Sequence, residues 1–572
     1  MSTETSLLAP VNNQSYVCGD QSQPLTDATI PEIFVKIITE FGSRPAAAFS
    51  EQSVRLTYSQ LATEVDRLAK GLLALGLKKG DRIGIWSPNR VEWLLTQFAT
   101  ARIGLIMVNI NPAYRLSELE YALNKVGCVA LITAANFKTS DYLQMIQTLA
   151  PEISSCAPGE LRSKTLPDLK TVIRMGDDVS TGMYNFDAVL AMGPDITDEH
   201  LNSISDSLSP TDPINIQFTS GTTGSPKGAT LTHFNILNNA KFVTDALRMT
   251  EKDSLCIPVP LYHCFGMVMG TLGCVTKGAA MVFPGEGFEP ASALQAISDE
   301  KCTALYGVPT MLVALLDTLE AGNFDVSSLR TGCLAGAPCP IEVMKKVIGD
   351  LNMTEVTIAY GMTETSPVSF QSSADDSIDR RVSTVGRIHP HVEVKIVDED
   401  GKIVPVGVKG ELWTRGYSVM NGYWGDEERT AESIVDGGWM RTGDLAVIDA
   451  DGYGNIVGRV KDMIIRGGEN IYPREIEEFL YRNSKVLEVQ VFGVPSEKFG
   501  EEVCAWIVLQ SDAECSEDEI REFCKGQIAH YKVPRYVRFK SELPMTVTGK
   551  PQKFVMRDMM VDELQLTIAE TA

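Results

Sequence analysis

Short apolar runs alternate with segments of helical periodicity from about residue 80 onward. RIGIWSPN leads into the helix-period segment RVEWLLTQFATARIG, and four further runs behave alike: CVALIT, INIQFTSG, TALYGVPT and EVTIAYGMTE. This repetition of strand, loop and helix predicts a mostly parallel sheet covered by helices. Ligands gather at the C-terminal ends of strands in such sheets, so TSGTTGSPKG and YGMTET, which both follow strands, are expected to face one crevice.

The pattern changes twice toward the C-terminus. After about residue 383, VEVKIVDEDGKIVPVGVKGELWTRG forms two alternating runs joined by an EDG turn, which indicates antiparallel strands. Beyond about residue 460, VLEVQVFGVPSEKFGEEVCAWIVL predicts a β-hairpin, and SEDEIREFCKGQIAHY predicts an amphipathic helix that starts at a serine cap. The fold class is therefore α/β: a flexible tail over 1–30, an N-terminal domain of parallel sheets over 31–460 with a β-rich subdomain at about 383–460, and a small α+β C-terminal domain over 461–572.

Composition and charge limit the function classes. The 572 residues are too many for one core, and 44% hydrophobic with 22% charged residues is typical of a soluble globular protein. The net charge of −23 argues against binding to nucleic acid or to anionic lipid. Twelve cysteines without a C-x-x-C pair indicate a reducing compartment. The first 35 residues lack Lys and Arg, which argues against a secretory or mitochondrial leader and predicts a cytoplasmic location.

One uncharged stretch is long enough to raise the question of a membrane span. SLCIPVPLYHCFGMVMGTLGCVT covers residues 254–276, but two prolines, His263 and three glycines within it favour a buried strand, loop and helix. We therefore expect no stable membrane insertion.

The string TSGTTGSPKG at 219–228 has the composition of a phosphate-binding loop. Its hydroxyls, glycines and Lys227 suit a polyphosphate, because hydroxyl and backbone N–H groups can wrap the phosphates. It departs from the P-loop pattern at two positions, since Pro226 stands before the lysine where that pattern has glycine, and Gly228 replaces the Mg²⁺-binding hydroxyl. A surface loop rich in Ser, Thr and Gly is the plainer interpretation of the same composition.

Further motifs occur along the rest of the chain. They are PLYHCFG (260–266), AGAP (335–338), YGMTET (360–365), RTGD (441–444), GRVKDMIIRGGENIYPREIE (458–477) and PMTVTGK (544–550). With the loop, this ordered set resembles the adenylate-forming superfamily of acyl-CoA synthetases, luciferases and peptide-synthetase adenylation domains. The resemblance covers almost the whole chain beyond the first 30 or so residues, and within the superfamily the chain is most similar to medium-chain acyl-CoA synthetases.

The resemblance implies a ligase reaction in two steps. A carboxylate attacks the α-phosphorus of ATP and expels pyrophosphate, and the thiol of CoA then attacks the resulting acyl-AMP and expels AMP. The substrates would be a fatty acid, ATP and CoA, Mg²⁺ would be the metal, and a mobile C-terminal domain would swing between the steps. Both steps move negative charge, so fixed positive groups and dipoles are required where that charge develops.

The resemblance also implies a role for each motif residue. Four residues would be catalytic: Lys550 toward the carboxylate and the α-phosphate, His263 as a gate at the acyl site, and Glu364 with Thr219 as ligands of Mg²⁺. The remaining nucleotide and CoA contacts would be Thr219, Ser220, Gly221, Thr222, Thr223, Gly224 and Lys227 at the β- and γ-phosphates, Gly336, Ala337, Pro338, Tyr360, Gly361, Met362 and Thr363 near the adenine and the α-phosphate, Asp444 and Arg459 at the ribose, Lys461 at the hinge, and Gly467 and Gly468 at the pantetheine tunnel. Outside these motifs a lone Glu or Lys is usually a solvated charge, and a lone His is usually structural.

The acyl pocket is expected to include parts of 260–275, 306–310 and 335–339. Its mostly apolar character favours an aliphatic or simple aromatic monocarboxylic acid, and the residues concerned are Val259, Phe265, Met267, Met269, Val308 and Cys339. The alternatives are a fatty acyl-AMP ligase that loads a carrier protein, a luciferase-like oxygenase, and a catalytically silent acyl- or nucleotide-binding protein. Chain length is left open, and a homodimer is among the assemblies left open.

Overall fold

Two sheets with parallel centres carry the TSGTTGSPKG and YGMTET motifs. The computed structural model describes residues 8–219, 226–336, 339, 341–466, 469–496, 499–525, 527–546 and 550–566. Nine predicted ligand contacts lie outside these ranges: Ser220, Gly221, Thr222, Thr223, Gly224, Ala337, Pro338, Gly467 and Gly468. The chain divides into a larger unit, Cys18–Glu393 with Thr414–Met440, and a smaller unit, Met1–Val17 with Val394–Trp413 and Arg441–Ala572.

The first sheet of the larger unit ends in an antiparallel hairpin. Its described strands have the spatial order Tyr184–Asn185, Thr171–Arg174, Ala130–Thr133, Arg82–Trp86, Ile106–Asn109, Pro213–Thr219, Lys227–Thr232 and Gly422–Tyr423. Neighbours are parallel as far as Pro213–Thr219, and the last two pairings are antiparallel. The parallel strands are buried on both faces, which explains their continuous apolar runs.

The second sheet of the larger unit is parallel in its centre and antiparallel at both edges. Its described strands have the order Arg387–Ile388, Val368–Gln371, Glu355–Gly361, Thr331–Ala335, Ala304–Gly307, Ser254–Cys256, Ala280–Phe283, Pro45–Phe49 and Val54–Thr57. Because parallel neighbours end at one edge, this register brings the segments that follow Thr331–Ala335 and Glu355–Gly361 side by side.

Helices alternate with these strands along the chain. The described α-helices of the larger unit are Ile30–Phe41, Tyr58–Ala74, Val91–Arg102, Leu116–Val126, Tyr142–Leu149, Phe186–Leu190, Asp198–Ser205, His233–Ala246, Gly273–Lys277, Pro290–Glu300, Pro309–Ala321, Ile341–Gly349, Ile378–Ser383 and Glu427–Ser433. Shorter or wider turns are the 3₁₀-helices Pro151–Ser154 and Thr363–Thr365 and the π-helix Phe265–Leu272, and Asn136–Phe137 pairs with Ser140–Asp141 in a small hairpin.

The helix Tyr58–Ala74 illustrates how the sequence specifies these elements. Thr57 caps it by accepting the N–H of Gln60 at 3.2 Å, and the Gln60 side chain accepts the N–H of Thr57 at 2.9 Å. Leu61 and Leu68 recur on one face and are fully buried, so the apolar face packs into the core of the larger unit.

Two further sheets account for the strands of the smaller unit. One sheet has the order Tyr16–Cys18, Val392–Val397, Gly410–Gly416, Trp439–Ile448 and Ile434–Val435, with Gly454–Arg459 beside Trp439–Ile448. The other has the order Glu469–Ile471, Ile464–Arg466, Gly500–Leu509 and Val486–Ser496, with Tyr536–Phe539 beside Gly500–Leu509. Helices Pro473–Leu480, Glu517–Cys524 and Lys553–Leu564 and the 3₁₀-helices Val460–Asp462 and His530–Lys532 complete the described part of this unit.

The α/β class and the main predicted elements are confirmed. Each apolar run from RIGIW to EVTIAYG is a strand, VEWLLTQFATAR is a helix, and the predicted C-terminal hairpin pairs Val489 with Ile507. The helix capped by Ser516 is shorter than predicted, because Lys525 takes extended backbone and ends it at Cys524.

Residues 254–276 form the predicted strand and helix, and their core positions are buried. Within the described residues, no helix combines the length and the apolar character that a membrane crossing requires.

The predicted tail over 1–30 contains a strand, Tyr16–Cys18. Just before it, Ser15 donates its N–H to the carbonyl of Val404 at 2.9 Å and its hydroxyl to the carbonyl of Pro405 at 2.9 Å. Ser15 is therefore hydrogen bonded within the smaller unit, while the limits 31–460 and 461–572 stay a prediction.

Candidate active site

The phosphate-loop motif begins and ends on two paired strands. Pro213–Thr219 runs antiparallel to Lys227–Thr232, and their register sets Thr219 opposite Lys227. Thr219 and Lys227 are thus fixed to a sheet, which gives the loop two rigid ends.

A buried carboxylate lies next to the first of these ends. Glu364 is 5% exposed, and its Oε1 accepts the Thr219 hydroxyl at 3.1 Å. It sits in the 3₁₀-helix Thr363–Thr365, and its backbone carbonyl accepts the N–H of Met420 at 2.9 Å. The structure therefore brings together the two residues that the motifs predicted to bind Mg²⁺.

Tyr423 is a third group at this carboxylate. Its hydroxyl donates to the same Glu364 Oε1 at 3.0 Å, and Lys227 Nζ lies 4.9 Å from the centre of its ring. Burial, and then the neighbouring Glu364 carboxylate, raise the pKa of the Tyr423 phenol well above its ordinary value. The phenol consequently keeps its proton at neutral pH and acts as a donor.

A row of polar side chains leads along the strand toward Thr219. Asn215, Gln217 and Thr219 alternate on one face of Pro213–Thr219. The amide of Asn215 donates to Asn109 Oδ1 at 2.9 Å, and Gln217 Oε1 accepts the Cys264 thiol at 3.2 Å. These buried hydrogen bonds form a row of polar contacts along the strand, inside an otherwise apolar core.

Gly336 follows the strand Thr331–Ala335, and Tyr360 lies near the end of its parallel neighbour Glu355–Gly361. Ala335 is the register partner of Ala359, so Gly336 and Tyr360 follow directly after a paired position. Gly336 has a φ of +89°, a left-handed conformation that glycine adopts without strain. The Tyr360 ring meets Phe370 edge to face at 6.2 Å, which gives the aromatic ring a fixed backing.

The residues that follow Tyr360 are packed tightly. A Cβ on Gly361 would lie 1.8 Å from the carbonyl oxygen of Pro367, so only glycine fits there. Met362 donates its N–H to the same carbonyl at 2.9 Å. Thr363 is 8% exposed and lies close to the Cys264 thiol, whose pKa is raised by burial.

His263 begins the apolar segment predicted to line the acyl site. Its N–H donates to the carbonyl of Pro260 at 3.3 Å, and its Nδ1 accepts the N–H of Phe265 at 3.2 Å. The π-helix Phe265–Leu272 follows. π-Helices are rare in proteins, and those that occur often lie at functional sites. The Phe265 ring stacks on Tyr306 at 5.2 Å.

Met267 lies on this π-helix with its thioether among buried amides. The Asn109 amide is 3.6 Å and the Gln217 amide 3.8 Å from the Met267 sulfur, and Gln97 donates to the Met267 carbonyl at 3.3 Å. Polar contacts therefore hold a side chain that is ordinarily adaptable. The predicted lining residues are all buried: Val259, Phe265, Met267, Met269, Val308 and Cys339.

The smaller unit pairs two of the predicted ribose contacts. Asp444 and Arg459 are register partners on antiparallel strands, and Arg459 Nε lies 3.0 Å from Asp444 Oδ1. The Asp444 side chain is 7% exposed and that of Arg459 is 54% exposed. The Asp444 N–H donates to the Thr442 hydroxyl at 3.1 Å, which orders the RTGD turn.

Lys550 and Lys461 lie at two further points of the smaller unit. The Lys550 N–H donates to the Thr546 hydroxyl at 3.0 Å, and the Thr546 N–H donates to the Lys550 carbonyl at 2.7 Å. Thr546 and Lys550 thus hydrogen bond each other shortly before the helix Lys553–Leu564. Lys461 is exposed on the 3₁₀-helix Val460–Asp462.

The donor set at Glu364 fits one particular kind of metal ion. In the part of the chain that the structure describes, no three or more His, Cys, Asp or Glu side chains are grouped to hold a metal. Glu364 and Thr219 offer one carboxylate and one hydroxyl. Mg²⁺ is commonly bound in this way, through one or two carboxylates together with substrate phosphates and water.

Sequence reasoning missed Tyr423 and Gln217. Tyr423 stands in NGYWG, whose glycines and aromatics are typical of an ordinary turn. It reaches Glu364 only because Gly422–Tyr423 adds to the sheet edge with Tyr423 opposite Ala229. Gln217 carried a signal, since a polar residue inside the run INIQF needs a buried partner.

Family models match both parts of the chain. Residues 35–424 match the model described as AMP-binding enzyme, and residues 475–550 match the model of the AMP-binding enzyme C-terminal domain. The Bacillus subtilis (strain 168) protein YngI, provisionally named an acyl-CoA synthetase, is 47% identical over 96% of this chain and 100% of its own length. A Danio rerio protein named medium-chain acyl-CoA ligase ACSF2, mitochondrial, is 46% identical over 97% of this chain and 92% of its own.

Solved structures agree with these relatives. The anthranilate CoA ligase AuaEII in complex with anthranoyl-AMP superposes with a TM-score of 0.84 at 26% identity, covering 95% of this chain and 99% of its own. ATP-bound MatB from Rhodopseudomonas palustris superposes with a TM-score of 0.81 at 29% identity, covering 94% of this chain and 100% of its own. The chain therefore belongs to the AMP-binding enzyme family, and within that family it is an acyl-CoA synthetase.

Proposed function

We propose that the chain joins a medium-chain fatty acid to CoA at the expense of ATP, with release of AMP and pyrophosphate. The observation that carries this proposal is the buried Glu364 carboxylate, which accepts the Thr219 hydroxyl at 3.1 Å at the base of the loop. The buried apolar residues around Met267 support a monocarboxylic acid with an aliphatic chain. The name of the Danio rerio relative supports the medium chain length.

The first step forms the acyl adenylate. The fatty-acid carboxylate attacks the α-phosphorus of ATP, and pyrophosphate leaves. Lys227 and the loop residues Ser220, Gly221, Thr222, Thr223 and Gly224 hold the departing β- and γ-phosphates. Lys550 offsets the charge that builds up on the five-coordinate phosphorus, because an ammonium group stabilises charge that is larger in the transition state than in the substrates.

Other residues hold the nucleoside. Gly336, Ala337 and Pro338 leave room beside the adenine, and Tyr360 lies against its face. Asp444 accepts hydrogen bonds from the ribose hydroxyls, and Arg459 orients the Asp444 carboxylate through their 3.0 Å contact. Thr363 lies near the α-phosphate, and the tightly packed backbone of Gly361 and Met362 holds it in position.

Glu364 and Thr219 hold Mg²⁺ in this proposal. Their carboxylate and hydroxyl oxygens are the hard ligands that this ion prefers. When bound, Mg²⁺ neutralises part of the triphosphate charge. Glu364 keeps its place through its contacts to Thr219 and Tyr423.

The second step uses the same acyl site with a different arrangement of the chain. The CoA thiol attacks the acyl carbonyl, and AMP leaves. Lys461 serves as the hinge between an N-terminal domain over 31–460 and a C-terminal domain over 461–572. Gly467 and Gly468 line the pantetheine tunnel, and His263 gates the acyl carboxylate.

The product distribution tests the proposal directly. Purified protein is incubated with ATP, Mg²⁺ and an equimolar mixture of C2 to C18 fatty acids and benzoate, with and without CoA, and the products are read by mass spectrometry. We expect acyl-CoA and AMP, with acyl-AMP accumulating only without CoA and medium chains preferred. Acyl-AMP that persists with CoA would instead indicate a carrier-protein acceptor, and no AMP from any acid would contradict the proposal.

Assembly and compartment belong to the same proposal. We expect either a monomer or a homodimer, which light scattering after gel filtration distinguishes. The cytoplasmic location predicted from the charge of the first 35 residues stays a prediction. Fractionation of the native cells tests it, and the Danio rerio relative, which is named mitochondrial, is the reason to test it.

A further inference from the structure

Tyr423 contacts both charged groups at the base of the phosphate loop. Its hydroxyl donates to Glu364 Oε1 at 3.0 Å, and its ring lies 4.9 Å from Lys227 Nζ. One residue thus links the carboxylate to the ammonium group.

The backbone of Tyr423 is itself fixed. Tyr423 pairs with Ala229 in the sheet, and its N–H donates to the Thr430 hydroxyl at 2.9 Å. Its side chain is 7% exposed, so few rotamers are open to it. A rigid tyrosine can therefore set the geometry of the groups that it touches.

We propose that Tyr423 is a positioning residue that orients Glu364 toward the metal–nucleotide complex and holds Lys227 at the loop. This inference rests on the metal and phosphate roles proposed for Glu364 and Lys227. Two donors, the Tyr423 and Thr219 hydroxyls, converge on Oε1 of Glu364. The Oε2 atom is thereby favoured to face a cation, because Oε1 already accepts two hydrogen bonds.

The ring acts on Lys227 in a different way. The negative face of an aromatic ring attracts an ammonium group and restricts a flexible side chain to one region. This contact needs the ring and not the hydroxyl. The two functions of Tyr423 can therefore be separated by substitution.

Two variants separate the functions, and a third controls for the loss of a buried hydroxyl. Tyr423→Phe removes the hydroxyl and keeps the ring, whereas Tyr423→Leu removes both. Tyr417→Phe is the matched control, since Tyr417 is also 7% exposed and its hydroxyl accepts a hydrogen bond from Asn239 at 3.2 Å. Glu364→Gln serves as the reference for loss of the metal ligand.

The main readout is metal binding rather than turnover. Mn²⁺ binding is measured by electron paramagnetic resonance with a non-hydrolysable ATP analogue, and binding of the analogue alone is measured without metal. For Tyr423→Phe we expect the Mn²⁺ dissociation constant to rise about tenfold, as for the loss of one hydrogen bond to a charged group, with metal-free nucleotide binding unchanged. For Tyr423→Leu we expect metal-free nucleotide binding to weaken as well, by about threefold.

The outcomes decide between positioning and simple packing. If Tyr423→Phe binds Mn²⁺ with wild-type affinity while Glu364→Gln binds it more weakly, the inference is overturned and the proposed function is left intact. Equal weakening in Tyr423→Phe and Tyr417→Phe would also overturn it, because the effect would then be general. If Glu364→Gln binds Mn²⁺ as tightly as the wild type does, Glu364 is not a metal ligand, and the inference is wrong as well. Failure of the wild type to form acyl-CoA is a separate result that concerns the proposed function alone.

Discussion

Thr219 and Lys227 face each other across an antiparallel pair of strands, one at each end of the phosphate loop. The register of the sheet therefore fixes the distance between the two ends before any nucleotide binds. For the proposed phosphate role, two fixed ends lower the conformational entropy that the intervening segment would lose on binding a triphosphate. The hydroxyl at one end meets Glu364, and the ammonium group at the other lies over Tyr423.

Replacement of Lys227 tests whether the positive charge at its end of the phosphate loop is needed for adenylation. We expect Lys227→Met to slow adenylation about a hundredfold or more, because the β- and γ-phosphates lose a fixed cation. Lys227→Arg should recover part of the rate, since it keeps the charge. The rate is measured by acid-dependent exchange of labelled pyrophosphate into ATP.

Lys241 provides the control for this experiment. It also lies over an aromatic ring, 4.3 Å from the centre of Phe242, and it pairs with Asp245 in the helix His233–Ala246. Lys241→Met should therefore leave exchange within about twofold of wild type, as a surface ion pair contributes little. Similar losses in Lys227→Met and Lys241→Met would contradict a specific phosphate role for Lys227.

Lys550→Ala should separate the two half-reactions. Adenylation is expected to fall at least a hundredfold, because the ammonium group stabilises charge that develops only in the first transition state. Thioester formation from supplied acyl-AMP and CoA should remain near the wild-type rate. Each half-reaction is followed separately, by pyrophosphate release and by acyl-CoA formation.

A neighbouring lysine makes this comparison specific. Lys553 lies three positions beyond Lys550, and its Nζ is 2.6 Å from Glu477 Oε1. Lys553→Ala is expected to reduce the stability of the smaller unit without changing the ratio of the two half-reactions. The assigned role of Lys550 is wrong if both half-reactions of Lys550→Ala fall equally.

The sequence was informative about this fold where a pattern depends on neighbours along the chain. The apolar run in Arg82–Trp86 and the serine cap at Ser516 were both read correctly, because strand burial and helix capping are local properties. The end of the capped helix at Cys524 was missed, since the extended backbone of Lys525 depends on the rest of the smaller unit.

The candidate site was predictable only in part for the same reason. Thr219, Lys227 and Glu364 stand in motifs, so their types and order made them candidates from the sequence. Tyr423 is distant in sequence from all three, and only the pairing of Gly422–Tyr423 with the strand Lys227–Thr232 brings its hydroxyl to Glu364. A single sequence does not encode that register in any local pattern.

Met267 is expected to limit the length of the acyl chain. Its thioether is held by the amides of Asn109 and Gln217, so the side chain is expected to form a rigid boundary of the acyl pocket. Met267→Ala should move the preference toward longer chains by at least two carbons, because a truncated side chain leaves a cavity that methylenes fill at about 0.8 kcal/mol each. The mixed fatty-acid assay measures the shift as relative kcat/KM.

Met175→Ala is the control for general loosening of the core. Met175 is 2% exposed and follows the strand Thr171–Arg174 in the same unit. Both truncations cost about 2–5 kcal/mol of unfolding free energy. Only Met267→Ala should change chain-length preference, and an equal change in both variants would contradict a pocket position for Met267.

The stability of the larger unit should depend on pH through His233. Burial lowers the pKa of His233 to about 4, with Asp212 raising it and Lys79 lowering it by smaller amounts. The imidazole is neutral in the folded protein, where its Nδ1 accepts the N–H of Ile30 at 3.2 Å. The unfolded chain therefore binds one more proton between about pH 6.5 and pH 4.

The sign of the effect follows from this difference in proton binding. A folded pKa below the unfolded one leaves stability unaffected above about pH 6.5 and lowers it as the pH falls, by about 3 kcal/mol at pH 4. His233→Gln keeps an acceptor for Ile30 but does not titrate, so the stability gap between wild type and variant should narrow on acidification. Urea unfolding midpoints from pH 7.5 to pH 4.5 measure the gap. His200→Gln, at an exposed position of the helix Asp198–Ser205, is the control. If the stability difference between wild type and His233→Gln does not change with pH, protonation of His233 plays no part.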